Sequence, residues 1–345
     1  MFIYCQSPNN SLVWYYNGTM SKKVVVTGFQ PSGSLHIGNY LGAFKQAIEL
    51  QKKPYKRFYF IADYHSLTQK YDVKQKAKDI FNLAVDALAL GIDPKKSTFF
   101  IQSAINEHAN LAWILNTITP MGELERMVEY KEKVSQGQTP NVGLFDYPAL
   151  MAADILLYDA DFVPVGDDQR QHLELTRTLV RTFNSRFGKT FKEPLTLHNA
   201  TPRIMSLNNP SQKMSKSIPS GCLFLSDSPA NIKKKIMSAT TDSHKEIGYD
   251  LQRRPAVSNL VAIYAAFSNI TTDAVVKKFK NAGYATFKRE LAALISNSLA
   301  PFRKKRASLM KKKGFVSKVL SDGAKIASPV ASKKLAEIKK RVGLI

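Results

Sequence analysis

Cysteine is nearly absent: Cys5 and Cys222 are the only two in 345 residues. Two thiols so far apart supply neither a zinc cluster nor a disulfide framework, and a reducing compartment is the simpler reading. No apolar run reaches the length of a membrane span. Carboxylates are scarce as well, 27 against 50 Lys and Arg, which leaves a formal charge of +23. Such an excess favours a polyanionic partner. Charge alone does not separate RNA from DNA or acidic lipid, and a lysine-rich composition bias gives the same number. Residues 1–23 hold no acidic residue and no arginine, and their only basic residues are Lys22 and Lys23. A transit peptide is Arg-rich and a secretory signal opens on a positive segment, so this stretch fits neither. Met20-Ser21-Lys22-Lys23 would make an ordinary start, with residues 1–19 as a disordered extension or an upstream-start artefact. Asn17-Gly18-Thr19 matches a glycosylation sequon, a chance match in a chain without a secretory signal.

What is present is an ordinary globular composition, 44% hydrophobic and 22% charged, in a chain long enough for a sizeable core and two domains. Val24-Val25-Val26, Phe58 to Ala62 and Ser97 to Gln102 read as buried strands. Between the second and third, Asp72 reads as the N-cap of a helix that ends at Gly91. This rhythm predicts right-handed βαβ units, a parallel sheet and an α/β, Rossmann-like fold. Residues 104–158 read as mostly helical with a polar loop near 137–141, and Phe162 to Val165 as a short strand. Ile204 to Leu207 reads as a last strand. Beyond about Ser226 the pattern is helical: Asn231–Ser238, Val257–Ser268, Thr272–Asn281, Thr286–Ala300 and Ser332–Val342 are the expected helices. The last 45 residues hold 14 Lys or Arg against only Asp322 and Glu337. This divides the chain into an extension (1–23), an α/β domain (24–225) and an all-helical region (226–345).

The stretch from Val24 to Tyr40 joins a strand, a loop containing Gly28, Pro31 and Gly33, and a helix opening near His36. A tight turn into a helix N-terminus aims backbone N–H groups and a positive helix end into one crevice, the usual phosphate corner of a parallel sheet. The spacing is not G-x-G-x-x-G, and no Lys-Ser/Thr pair follows the last glycine, which excludes a P-loop. Instead His36-Ile37-Gly38-Asn39 opens the helix, and Lys213-Met214-Ser215-Lys216-Ser217 follows much later. His36 and Asn39 lie one helical turn apart and can donate to the same phosphates. Lys213 and Lys216 put two ammonium groups on a loop able to close over them. A helix-capping histidine and a solvated Lys/Ser turn would look the same one at a time; it is the pairing that points to a nucleotide. Asp154 interrupts the apolar run Leu150 to Leu157, where a carboxylate is costly unless hydrogen-bonded or paired.

The two motifs resemble the HIGH and KMSKS signatures of class I aminoacyl-tRNA synthetases, and their flanking residues resemble the tryptophanyl branch. The resemblance runs from about Val24 to near the carboxyl end. It implies a Rossmann-like catalytic domain with a helical dimerisation insertion (104–158), then a helical anticodon-binding region whose basic end contacts tRNA phosphates. It also implies ATP-dependent joining of L-tryptophan to tRNA(Trp) through an adenylate. Mg²⁺ would arrive with ATP, and neither a tightly bound cofactor nor a metal cage of the protein is expected.

By the same resemblance, ATP is met by Gln30, Ser32, Gly38, Asn39, Gly166, Asp168, Gln169, Ile204, Lys213, Met214, Ser215, Lys216 and Ser217. His36, Asn39, Lys213, Lys216 and Lys133 carry the chemistry, with Lys133 brought in by the insertion that follows Gly122-Glu123-Leu124-Glu125-Arg126-Met127. Tryptophan is met by Gly28, Gln30, His65, Tyr147, Met151, Asp154, Val163 and Val165. Asp154 would accept the indole N–H, a core salt bridge being its structural alternative. The family often carries an aromatic just before the Ser/Thr-Gly of the first motif, where this chain has Val26. A looser indole pocket is the consequence to expect.

A tyrosyl-tRNA synthetase shares the fold and both nucleotide signatures; Asp154 in its apolar context and the Gly122–Met127 segment argue against it. A non-catalytic RNA-binding relative would be expected to have lost His36, Lys213 or Lys216, and all three are intact. A different nucleotidylyltransferase would not need the second lysine loop or the basic helical end. A homodimer in the cytoplasm is the expectation, with the mitochondrial matrix as the alternative compartment and no membrane partner.

Overall fold

The computed structural model describes residues 22–344 apart from 136, 138, 167, 168, 199–202 and 245; the side chains of Lys133 and His198 are also outside it. Cys5, the sequon, the Met20 start and Asp168 therefore lie outside the described residues. Five strands, β1 (Val24–Phe29), β2 (Lys56–Ile61), β3 (Thr98–Ile101), β4 (Phe162–Val165) and β5 (Leu195–His198), form one parallel sheet in the order β3-β2-β1-β4-β5. Strand order reverses between β1 and β4, and a doubly wound sheet binds ligands in the crevice beyond the carboxyl ends of those two strands. The amino end of β1 is held by Asp161, whose carboxylate accepts from the Val24 N–H at 2.7 Å and pairs with Lys23 at 3.1 Å.

Side chains alternate across the sheet into two cores, as the pleat requires. Val25, Phe29, Tyr59, Ile61 and Phe99 enter one; Val26, Phe58, Phe60 and Phe100 enter the other. After β1 the chain enters α1 (Ile37–Asn39), widens through a π-helical turn at Tyr40–Phe44, and continues as α2 (Lys45–Leu50). Helix α3 (Val73–Leu90) starts where Asp72 accepts from the Gln75 N–H at 2.8 Å and stops at Gly91, as the sequence indicates. Helices α4 (Glu107–Asn116), α5 (Met121–Glu125), α6 (Val128–Ser135) and α7 (Val142–Leu156) fill the expected insertion, and α8 (Arg170–Phe187) follows β4.

The remaining helices are α9 (Pro229–Met237), α10 (Pro255–Ser268), α11 (Thr272–Lys278), α12 (Tyr284–Met310) and α13 (Lys313–Arg341). The last two are far longer than expected. They run through Pro301 and Pro329, residues that ordinarily end a helix, because Leu299, Phe302 and Leu309 on one and Ala327, Ala331, Leu335 and Ile338 on the other are buried. α13 packs along β3 and α4 and covers that edge of the sheet. The approach is possible only at a glycine: a Cβ on Gly323 would sit 1.9 Å from the Phe99 carbonyl oxygen. α12 is tied to α3 by Arg306, whose Nε lies 2.5 Å from the Asp86 carboxylate.

One expected strand is corrected. Ile204 to Leu207 is not a sheet member; Met205 makes only an isolated bridge to Lys213, closing the loop that carries the lysines. The fifth strand is Leu195–His198, an edge strand of four residues with Leu195 exposed, too short to register as an alternating pattern. Among the described residues no helix is long and apolar enough to cross a membrane.

Candidate active site

His36 is the N-cap of α1 and is buried. Its Nδ1 accepts from the Gly38 N–H at 3.1 Å, while Asn39 Oδ1 accepts from the His36 N–H at 3.1 Å, a reciprocal capping box. The cap uses the acceptor atom of each side chain. The donors, His36 Nε2–H and Asn39 Nδ2–H₂, take no part in it and suit an anion. Burial first, then the positive charges of Lys216 and Lys213, pull the His36 imidazole down to about 4, so it stays neutral at physiological pH. The ring lies so close to Gly38 that a Cβ there would be 2.9 Å from it and 3.8 Å from the Ile204 Cβ.

The second motif is anchored beside this corner by its one apolar residue. Met214 is buried and its N–H bonds the Ile204 carbonyl at 3.1 Å. On either side of it, Lys213 is exposed and Lys216 half-buried. Lys216 Nζ donates to the Ser32 carbonyl at 2.6 Å and to Ser32 Oγ at 2.9 Å, so the two motifs are latched together across 184 residues. Burial lowers the Lys216 ammonium, opposed by the charges of Asp79 and Asp86. Ser215 and Ser217 bond each other at 2.7 Å. Gln30 is exposed, its Nε2 reaching the His65 carbonyl at 3.4 Å, and it lines with Ser32 a cleft of about 270 Å³ beside the latch. Neither His36 nor Asp154 lines that cleft.

Tyr147, Met151 and Asp154 fall at i, i+4 and i+7 of α7, one stripe of one helix face. Asp154 is 2% exposed. Its Oδ1 accepts from Gln102 Nε2 at 2.7 Å and His108 Nδ1 at 2.6 Å, and its Oδ2 from His65 Nε2 at 2.8 Å. Burial works to raise this carboxyl, but the hydrogen bonds from His108 and His65 outweigh it and hold it below the usual carboxylate range. The other ring nitrogen of His108, Nε2, lies 2.9 Å from Tyr158 OH. An ionised carboxylate offers about four lone-pair directions. Three are taken here, and the one remaining is on Oδ2. Val163 and Val165 enter the same core as the α7 face, and Gly28 lies exposed near the end of β1.

A further network joins the two halves of the site. Tyr147 OH lies 2.9 Å from His172 Nε2, His172 Nδ1 lies 2.9 Å from Gln169 Oε1, and Gln169 Nε2 donates to Glu129 Oε2 at 2.9 Å. The edge of Tyr147 also meets the His65 ring at 6.1 Å between centroids. Gly166 leaves β4 and accepts from the Gln169 N–H at 3.1 Å. Gln102, His108, Tyr158, His172 and Glu129 were not singled out by sequence. Gln102 and Tyr158 are polar groups at the ends of apolar runs, which does not say with what they pair, and His108, His172 and Glu129 stand in mixed polar segments that give no signal at all. Lys133 lies on α6, with its side chain outside the described residues.

Residues 20–300 match the family model described as tRNA synthetases class I (W and Y). A tryptophan–tRNA ligase of Caldanaerobacter subterraneus is 47% identical over 327 residues, covering 94% of this chain and 99% of that one. The tryptophanyl-tRNA synthetase of Mycoplasma pneumoniae superposes with a TM-score of 0.86 at 35% identity, over 94% of this chain and 99% of that one. The Campylobacter jejuni enzyme, solved with ADP and tryptophan, superposes at 0.77 and 38% identity, over 93% of this chain and all of that one. The chain belongs to the class I tRNA synthetases of the tryptophan and tyrosine type and, within them, to the tryptophan–tRNA ligases.

Proposed function

We infer that this chain activates L-tryptophan with ATP and transfers it to tRNA(Trp), and that the buried Asp154 carboxylate is the group that reads the indole. The observation that carries this reading is the single remaining lone-pair direction on Asp154 Oδ2, on the same α7 stripe as Tyr147 and Met151. The indole N–H is the only polar group on the tryptophan ring. Tyrosine offers no donor at that point and phenylalanine none at all, so either would leave a buried lone pair unmet. Met151, Val163 and Val165 form apolar walls, with Gly28 and His65 beside them, while Tyr147 and Gln30 meet the amino-acid end.

The tryptophan carboxylate attacks the α-phosphorus of ATP in line, and pyrophosphate leaves with the electrons of the broken P–O bond. His36 Nε2–H and Asn39 Nδ2–H₂ donate to phosphate oxygens. Lys213 and Lys216 hold the departing charge, Lys216 exchanging Ser32 for phosphate, and Lys133 adds a third ammonium from α6. Fixed donors aimed at developing charge carry such a step, and no protein nucleophile is needed. Ser32, Gly38, Gly166, Asp168, Gln169, Ile204, Met214, Ser215 and Ser217 border the nucleotide, and Mg²⁺ enters as part of the ATP complex. The terminal ribose hydroxyl of tRNA then attacks the acyl carbonyl, and AMP leaves.

Residues 24–225 form the catalytic unit, 226–345 the anticodon-binding region, and 104–158 the dimerising insertion. Trp113, Met121, Val128 and Val142 of that insertion are exposed, 72, 62, 57 and 77%, and a homodimer covers them. We place the reaction in the cytoplasm. The test is ATP–pyrophosphate exchange with tryptophan, tyrosine and phenylalanine in turn. Exchange with tryptophan alone is expected; exchange with tyrosine would move the chain to the tyrosyl branch and make Asp154 structural.

A further inference from the structure

We propose that Asn259, on α10 of the helical region, is a positioning residue for Lys213: its carboxamide clamps the backbone of Met205 and so sets where the lysine loop stands over the nucleotide. This rests on the activation reading above and deepens it.

The loop is carried by two short antiparallel arms. The Ser206 N–H donates to the Gln212 carbonyl at 2.8 Å, and the Met214 N–H to the Ile204 carbonyl at 3.1 Å. Those two bonds bracket the bridge between Met205 and Lys213. In an antiparallel pair bonded on that pattern, the N–H and C=O of the bracketed residues point away from each other's strand. Those of Met205 are taken by Asn259. Its Oδ1 accepts from the Met205 N–H at 2.9 Å, and its Nδ2 donates to the Met205 carbonyl at 3.0 Å. The backbone dictates this orientation, since an amide turned over would set donor against donor and acceptor against acceptor. One side chain thus does for Met205 what a third strand would do.

The clamp sits where a small displacement matters. Asn259 is 4% exposed and stands between buried Ser258 and Leu260, with Ser258 Oγ accepting from the Asp250 N–H at 2.8 Å, so it is fixed in α10. One residue before Met205, the Ile204 Cβ lies 3.8 Å from where a Cβ on Gly38 would stand, against the His36 corner. Across the bridge is Lys213 itself. A single side chain of the helical region therefore reaches the segment that touches both motifs. The far end of that segment has its own tie: the Thr240 N–H donates to the Leu207 carbonyl at 2.8 Å, and Thr240 Oγ1 to the Asn208 carbonyl at 3.0 Å. Losing the clamp leaves this tie in place and lets the lysine arm shift about it.

The test reads the loop first without catalysis. Limited trypsin digestion of the folded enzyme should cut after Lys213 and Lys216 about tenfold faster in Asn259→Ala than in the wild type, with cutting after exposed Lys95, at the amino end of β3, unchanged. The kcat of pyrophosphate exchange should fall about 10- to 100-fold, as for a catalytic group held slightly out of place. L-Tryptophan binding, measured by equilibrium dialysis without ATP, should stay within about twofold. Asn259→Asp has the same shape and serves as well if the alanine variant does not fold. Ionised, it sets a carboxylate against the Met205 carbonyl; protonated, it can donate there and restore the clamp. Its exchange rate relative to the wild type should therefore recover as pH falls from 8 to 6. Equal cutting rates, a ratio flat with pH, or tryptophan binding lost in step with kcat overturns the inference. A wild type that shows no tryptophan-dependent exchange sinks the activation reading instead, and the digestion still reports on the clamp.

Discussion

Replacing Asp154 by Asn tests the reading at its most constrained atom. The amide must choose which oxygen position becomes nitrogen. Two donors, Gln102 and His108, converge on Oδ1, and only His65 on Oδ2, so the carbonyl oxygen keeps the Oδ1 place and the NH₂ takes that of Oδ2. His65 can meet it by switching tautomer, so the fold survives. Losing the charge weakens the two bonds at Oδ1 by about 1 kcal/mol each, roughly 2 kcal/mol of stability and a few degrees in Tm. The substrate fares worse, because its indole N–H now faces another N–H. One charge-assisted bond is lost (~1.5–3 kcal/mol) and a buried donor is left unmet (~1–3 kcal/mol), which together lower kcat/KM for tryptophan by about 10²- to 10⁴-fold. The KM for ATP should hold within about twofold, since His36 and the lysine loop are built from other elements. Pyrophosphate exchange at varied tryptophan, with a denaturation curve on the same preparation, measures both effects. A loss of less than fivefold in kcat/KM, from folded protein, would refute the assignment of Oδ2.

Three further outcomes follow from the geometry. Lys216→Ala removes an ammonium now held on Ser32. It should lower kcat of exchange by about 10²-fold or more with little change in KM for tryptophan, and an unchanged kcat would make the latch merely structural. His36 titrates near 4 in the folded chain against 6.5 when unfolded. The unfolded state therefore binds the proton first, and stability is lost as pH falls from about 6.5 to 4, by up to roughly 3 kcal/mol. Denaturant curves at pH 7, 5.5 and 4.5 should show wild type losing more than His36→Asn over that window, and parallel losses would contradict it. Gly323→Ala forces α13 off β3, because its Cβ would meet the Phe99 carbonyl at 1.9 Å. It should cost about 1–3 kcal/mol or more in urea unfolding while leaving KM for ATP unchanged.

The sequence was most legible where a local rule acts alone. Asp72 and Gly91 bounded α3, β-branched and aromatic runs marked β1 to β4, and the two lysine and histidine motifs announced a nucleotide site. Legibility failed where long-range packing decides. β5 has four residues and an exposed edge, so its strand character comes from its neighbour β4 and not from its own pattern. The expected helices stop at Ala300 and start only at Ser332, whereas burial of the faces around Pro301 and Pro329 carries α12 and α13 through both prolines. Asp154 was recognisable as a residue needing partners, but His65, Gln102 and His108 come from three other segments, and no spacing rule joins them. The same holds for His172 and Glu129, which the fold alone places against Tyr147 and Gln169.

The central claim is that a buried, ionised Asp154 selects its substrate by the indole N–H. The most direct measurement replaces that one group: exchange driven by β-(benzothiophen-3-yl)alanine, in which sulfur stands where the N–H was, against L-tryptophan. The account predicts a fall in kcat/KM of about 10-fold or more in the wild type, for the lost charge-assisted bond and the carboxylate lone pair left unmet, and nearly equal values for the two substrates in Asp154→Ala. Equal use of both by the wild type would contradict it.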